Sequence, residues 1–195
     1  MGEKELVRAA KSGSREAFGE IYERYQAQLL RYLIGMLRDP QLAEDLCQET
    51  FASAYRTVQA LEHEEQLLPW LYRIATNKAI SSLRRRRLIR WIPFDVDMHD
   101  RGDHARPDER VVERDAISRA LDCVPHDLAA CLVGYAEGLS YQELALVFNC
   151  SLGAIKQRLY RARLSFRKAY ADELTSPTAR PHSQTIPAVL EVRRA

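Results

Sequence analysis

The sequence predicts an all-α protein made of two small helical domains joined by a flexible linker, the second of them a helix-turn-helix. Three observations predict it. Apolar residues recur at three- and four-residue spacing along most of the 195 positions, and no stretch alternates as a strand would. A proline-, glycine- and acid-rich segment, IRWIPFDVDMHDRGDHARP at 89–107, interrupts that periodicity. Beyond it, LSYQELALVFNCSLGAIKQRLYRARLSFRK (Leu139–Lys168) holds a capped short helix, a turn and a second capped helix. The expected division is therefore a domain over 1–88, a linker over 89–107, a domain over 108–174 and a disordered tail over 175–195.

Taken in order, Lys4–Lys11 reads as a short helix ending at Gly13. Ser14 caps a long helix bearing Phe18, Ile21, Tyr22, Tyr25, Leu29, Leu33 and Leu37 at helical spacing. Asp39 and Pro40 restart the chain, since aspartate suits the N-cap and proline the first helical position. The next helix, to about Leu61, turns Ala43, Leu46, Cys47, Thr50, Ala54, Val58 and Leu61 inward and leaves Asp45, Gln48 and Glu49 outward. After a polar turn at Glu62–Gln66, a helix over Leu68–Leu88 follows, with Trp70 in its apolar stripe. Asp108 caps a helix to Cys123, Pro125–Glu137 forms another, and two more fill 139–172. In the tail, Ile186–Val192 is a candidate for an ordered stretch.

Composition narrows the function. Apolar residues make up 46% and charged residues 29%, and no run approaches the roughly 18 apolar residues of a membrane span. The charged, amphipathic start MGEKELVRAAKSG is not a signal peptide, so the expected compartment is the cytoplasm. Cys47, Cys123, Cys131 and Cys150 form no CxxC pair, and His99 and His104 read as solvated loop histidines, so neither a metal site nor a cofactor is expected. A Gly-rich phosphate loop and a nucleophile–base arrangement are missing too, and the pair Glu64/Glu65 reads as a solvated loop; these features exclude an enzyme.

The net charge of +2 hides a strong asymmetry. Residues 41–66 carry six acids and one base, whereas 84–90 carry five bases and 152–168 six bases, neither with any acid. Two separate basic segments suit contact with a polyanion in two places, and the acidic stretch suits a different, basic partner.

The helix-turn-helix carries the sharper chemistry. Ser140 and Glu143 form a capping box, Ala145 is small enough for a close helix crossing, Asn149 tolerates left-handed backbone and Ser151 caps the second helix. Ile155, Leu159 and Ala162 face inward, leaving Ser151, Leu152, Gly153, Lys156, Gln157 and Tyr160 exposed on the half of the helix that enters a major groove. Gln157 suits a base edge, Lys156 a base or phosphate, and Arg158, Arg161 and Arg163 phosphates. In the first domain, PWLYRIATNKAISSLRRRR places Asn77, Lys78 and Arg84, Arg85, Arg86 and Arg87 on one helix. Aromatic groups, here Trp70 and Tyr72, and amides beside a basic stripe suit single-stranded DNA, although Trp70 also fits the apolar stripe as a core residue.

LAEDLCQETF (Leu42–Phe51), PWLYRIATNKAISSLRRRR (Pro69–Arg87) and GLSYQELALVFNCSLGAIKQRLYRAR (Gly138–Arg163) together resemble the three signature blocks of extracytoplasmic-function (ECF, group IV) RNA polymerase sigma factors, in the right order and over about residues 5–172. The resemblance implies two domains, sigma regions 2 and 4. It implies that Asp45, Gln48 and Glu49 dock on the basic clamp helices of the polymerase β′ subunit. It implies that the third and fourth helices, with the loop Gln59–Leu68, melt the −10 element and read it as single strand, one base being flipped into a pocket at that loop. Asn77 matches a family position near this surface. The second domain would bind the −35 element as duplex and the polymerase β-flap, the linker would run towards the RNA exit channel, and an anti-sigma factor is a possible further partner. The chain departs from the family at Ser81, where Asp is common, at Val124-Pro125 where Leu-Pro is usual, and at Leu152–Ala154. The competing readings are an autonomous helix-turn-helix regulator, which would not need the acidic triplet, and an adaptor that never touches DNA, which would not need a basic recognition helix.

Overall fold

The computed structural model describes residues 2–89 and 109–175; the expected linker, Asp108 with its cap, His99, His104 and the tail lie outside the described residues, apart from Ile89 and Thr175 at the helix ends. Every helix expected within those bounds forms, and no strand occurs among the described residues: α1 (Glu3–Lys11), α2 (Arg15–Leu37), α3 (Pro40–Thr57), α4 (Leu67–Ile89), α5 (Glu109–Asp122), α6 (His126–Ala136), α7 (Tyr141–Val147) and α8 (Leu152–Thr175).

Local chemistry sets the boundaries. Ser14 Oγ accepts from the Ala17 N–H at 3.1 Å, and Asp39 Oδ1 accepts from the Leu42 N–H at 3.0 Å, with Pro40 opening α3. Each cap satisfies a donor that the first helical turn leaves free. α3 stops at Thr57 rather than running to Leu61, because a 3₁₀ turn at Val58–Ala60 swings both Val58 and Leu61 into the core.

α1–α4 form the first bundle, around Ile21, Leu29, Leu33, Phe51, Leu71 and Ala75. Within it, Tyr22 is only half-buried and meets Phe51 edge-on, with ring centroids 4.7 Å apart. Tyr32 and Tyr72 are fully buried with ring centroids 4.8 Å apart, and the Tyr32 hydroxyl shares a 2.7 Å hydrogen bond with Thr76 Oγ1. α5, α6 and α8 enclose a second core of Ala120, Val124, Ala129, Leu132, Phe166 and Ala169.

α6 joins the two bundles. Its residues Ala129–Gly134 are all buried, an uninterrupted run that one amphipathic face cannot produce. α6 contacts α5's partner α8 on one side and α2 and α4 on the other. The apolar core of the first bundle accordingly continues into Ala130, Cys131, Val133, Leu139, Leu144 and Val147. Small residues permit the approach: a Cβ on Gly35 would stand 2.8 Å from Val133 Cγ1, and one on Gly134 3.1 Å from Leu144 Cδ2. At the rim, Arg31 pairs with Glu137 at 3.2 Å and Arg38 with Asp122.

Candidate nucleic-acid interface

α7, the turn and α8 make the expected helix-turn-helix. Ser140 Oγ accepts from the Glu143 N–H at 3.1 Å while Glu143 Oε2 accepts from the Ser140 N–H at 2.7 Å, closing the capping box. Asn149 takes the left-handed conformation, φ 48°, which lets the Cys150 N–H reach the Ala145 carbonyl at 3.0 Å. Ser151 Oγ then caps α8 through the Ala154 N–H at 3.2 Å.

Ile155, Leu159 and Ala162 are buried, so Ser151, Leu152, Gly153, Lys156, Gln157, Tyr160 and Arg161 all lie on the open side of α8. Lys156 and Arg161 make no ion pair with any described residue, which leaves both cations available to an external anion. The other arginines are divided. Arg158 is half-buried, its guanidinium 5.3 Å from the Phe148 ring centroid. Arg163, expected among the phosphate contacts, lies 5.0 Å over the Tyr135 ring with its Nε buried. Its partner is an aromatic face from α6, which anchors α8 to the body of the protein.

In the first bundle, Asp45, Gln48 and Glu49 are exposed on α3, and Asn77, Arg84, Arg85 and Arg86 on α4; Arg87 belongs to α4, but its side chain lies outside the described set. The two sets are neighbours. Lys78 Nζ reaches Glu49 Oε2 at 3.1 Å, and Arg86 reaches Asp39 Oδ2 at 2.8 Å. A groove between α3 and α4, floored by Leu42 and Leu46, carries Glu49 on one rim and Asn77, Lys78 and Arg85 on the other. The Asp39 carboxyl is held below the usual carboxylate range, first by the Leu42 N–H and then by Arg86.

The loop between α3 and α4 is tied down by α1. Arg8 pairs with Glu64 at 2.8 Å and Lys11 donates to the Leu61 carbonyl at 2.8 Å. This corrects the reading of Glu64 as a solvated loop residue: its carboxyl is depressed by the hydrogen bond from Arg8, a partner 56 positions away. Beyond that loop, Glu62, Gln66, Trp70 and Arg73 face Leu146 and Asn149 across a cleft between the two bundles. Trp70 itself is buried, as its place in the apolar stripe requires, and Tyr72 is buried against Tyr32, which corrects the expectation that its ring is offered to bases. Among the described residues no group of three His, Cys, Asp or Glu side chains is placed to hold a metal ion, and no helix is long and apolar enough to cross a membrane.

Two family models match the chain: Sigma-70 region 2 over residues 21–89, which takes in α3, the loop and α4, and Sigma-70 region 4 over residues 114–165, which takes in the helix-turn-helix. The chain is 34% identical over 180 residues to the RNA polymerase sigma-H factor of Pseudomonas aeruginosa, covering 86% of this chain and 93% of that one. It is 31% identical to the ECF RNA polymerase sigma-E factor of Haemophilus influenzae, covering 81% and 89%. The fold is similar to that of CnrH, solved in complex with the cytosolic domain of CnrY, with a TM-score of 0.66 at 22% identity over 87% of this chain and 97% of that one. A two-bundle, helix-turn-helix protein with these matches is a promoter-recognition subunit of RNA polymerase. The chain belongs to the ECF family of RNA polymerase sigma factors.

Proposed function

We propose that this sigma factor, a non-catalytic cytoplasmic subunit of the group IV type, docks on core RNA polymerase through Asp45, Gln48 and Glu49. The acidic face of α3 meets the basic β′ clamp helices. Asn77, Lys78 and Arg84–Arg87 follow the −10 element as a single strand. Ser151, Gly153, Lys156, Gln157, Arg158, Tyr160 and Arg161 take the −35 element as duplex, with the β-flap a second polymerase contact. The first domain spans 1–88 and the second 108–174, joined through 89–107. An anti-sigma factor is a further partner, in keeping with the sigma factor RpoE of Bartonella quintana, which was solved in complex with the anti-sigma factor NepR.

The observation that carries this reading is the open, acid-free first half of α8, where Lys156 and Gln157 stand exposed and Lys156 makes no ion pair with any described residue. An inward or acid-paired face would not enter a groove lined by phosphates. The test is transcription by core polymerase, with and without this protein, from a library of randomised −35 and −10 sequences. Transcripts that start from one defined pair of motifs only in its presence establish the reading. Absence of both core binding and initiation would leave an autonomous helix-turn-helix regulator. Replacing Asp45 and Gln48 by Ala abolishes core binding if the α3 surface is the dock.

A further inference from the structure

The cations of the two DNA-facing helices differ in their company. On α8, Lys156 and Arg161 are free of ion pairs with described residues. On α4, Lys78 is held by Glu49 of α3 at 3.1 Å and Arg86 by Asp39, the N-cap of α3, at 2.8 Å. The acids differ as well. Asp39 is committed to the fold: one oxygen caps α3 through the Leu42 N–H, the other takes Arg86, and its side chain is 34% exposed. Among the described residues Lys78 is the sole hydrogen-bond partner of Glu49, whose side chain is 61% exposed. It is an acid able to change partners without loosening the helix that bears it.

We infer that Glu49 masks Lys78 in the free protein and that polymerase removes the mask. This rests on the polymerase-docking and −10 assignments proposed above. With Glu49 in place, the Lys78 ammonium is drawn towards α3, its side chain only 26% exposed. A DNA phosphate must then compete with a carboxylate already at contact distance. A basic polymerase surface that takes Glu49 releases Lys78 to the strand, and a strand that takes Lys78 releases Glu49 to polymerase. Docking and −10 binding thereby strengthen one another by the same factor, as linkage requires. The groove rimmed by Glu49, Asn77, Lys78 and Arg85 is where the two ligands meet. An exposed pair of this kind shifts an equilibrium by up to about fivefold, so the device biases the order of assembly and does not forbid either partner.

The experiment measures binding of a short, fluorescein-labelled, random-sequence single-stranded DNA to the full chain at low salt. Glu49→Gln binds about threefold more tightly than the native chain, and its log K against log salt slope steepens by up to about 0.7, one additional phosphate contact on a single strand. Glu44→Gln, the same charge change at an exposed α3 position that has no ion pair with any described residue, gives a smaller gain. In a Lys78→Met background the gain from Glu49→Gln disappears, and at saturating core polymerase the native chain and Glu49→Gln bind the strand equally. A gain that survives Lys78→Met, or that Glu44→Gln matches, overturns the mask. A gain that persists on polymerase overturns the hand-over. Failure of every variant to bind single strand, with and without polymerase, instead overturns the −10 assignment beneath it.

Discussion

Gly35 of α2 and Val133 of α6 meet where the two bundles cross, so closely that a Cβ on Gly35 would stand 2.8 Å from Val133 Cγ1. Valine is stiff at χ1 and cannot swing aside cheaply. Gly35→Val therefore overpacks the crossing and lowers stability by about 1–3 kcal/mol, or separates the bundles. Val133→Ala in the same chain restores part of the loss by making room. Urea midpoints and small-angle scattering check this together. An unchanged midpoint with an unchanged radius of gyration for Gly35→Val would sink the crossing as described.

On α8, Gln157 and Arg161 are both exposed, but their chemistry separates their expected effects. Gln157→Ala should relax the −35 preference at one position, by about 1–3 kcal/mol against the wrong base. Arg161→Ala should weaken all duplexes alike and lower the salt dependence by about one phosphate contact. Binding of the holoenzyme to a panel of −35 variants at two salt concentrations distinguishes them. Equal, sequence-independent losses for both variants would remove Gln157 from base reading.

The four thiols differ in burial, which should set the order in which they react. Cys123 is exposed, whereas burial pushes the Cys47 thiol up to about 11 and the Cys131 thiol up to about 12. At pH 8 the thiolate, the reactive form, is on the order of a hundredfold scarcer at Cys47 than at a free cysteine. Timed alkylation followed by peptide mass analysis should label Cys123 first, with Cys47 and Cys131 reacting only once the chain unfolds. Early labelling of Cys131 would mean that α6 is not enclosed on both sides.

Alkali should destabilise the fold in a definite window. The Tyr25 hydroxyl donates to Glu3, and burial first, then Glu3, pushes its pKa up to about 12. Burial also pushes Tyr32 and Tyr72 upward. Between about pH 10 and 12 the unfolded chain loses phenolic protons that the folded chain retains, so stability falls as pH rises through that window. Tyr25→Phe removes one of these groups and should flatten the fall, measured as urea midpoints from pH 9 to 12. A native and a Tyr25→Phe chain with identical slopes would remove Tyr25 from the account.

Much of this protein was legible along the chain because its determinants are local. Ser14, Asp39, Ser140 and Ser151 each sit within three residues of the N–H they cap, so helix starts follow from neighbouring letters. The exposed face of α8 follows from 3.6-residue periodicity, and the sigma-factor family from three sequence blocks in order. The tertiary structure decided what depends on partners far away in sequence. The all-round apolar α6 could have been suspected from DLAACLVGYA, but only packing against α2 and α4 says what covers its second side. Arg163 turns to Tyr135, Glu64 to Arg8 and Glu49 to Lys78 because the bundle brings those helices together, and composition is silent on such pairings. Sequence thus determined which surfaces exist, since periodicity and caps act within a turn or two. The fold decided which of their charges are free, since that depends on which helices become neighbours.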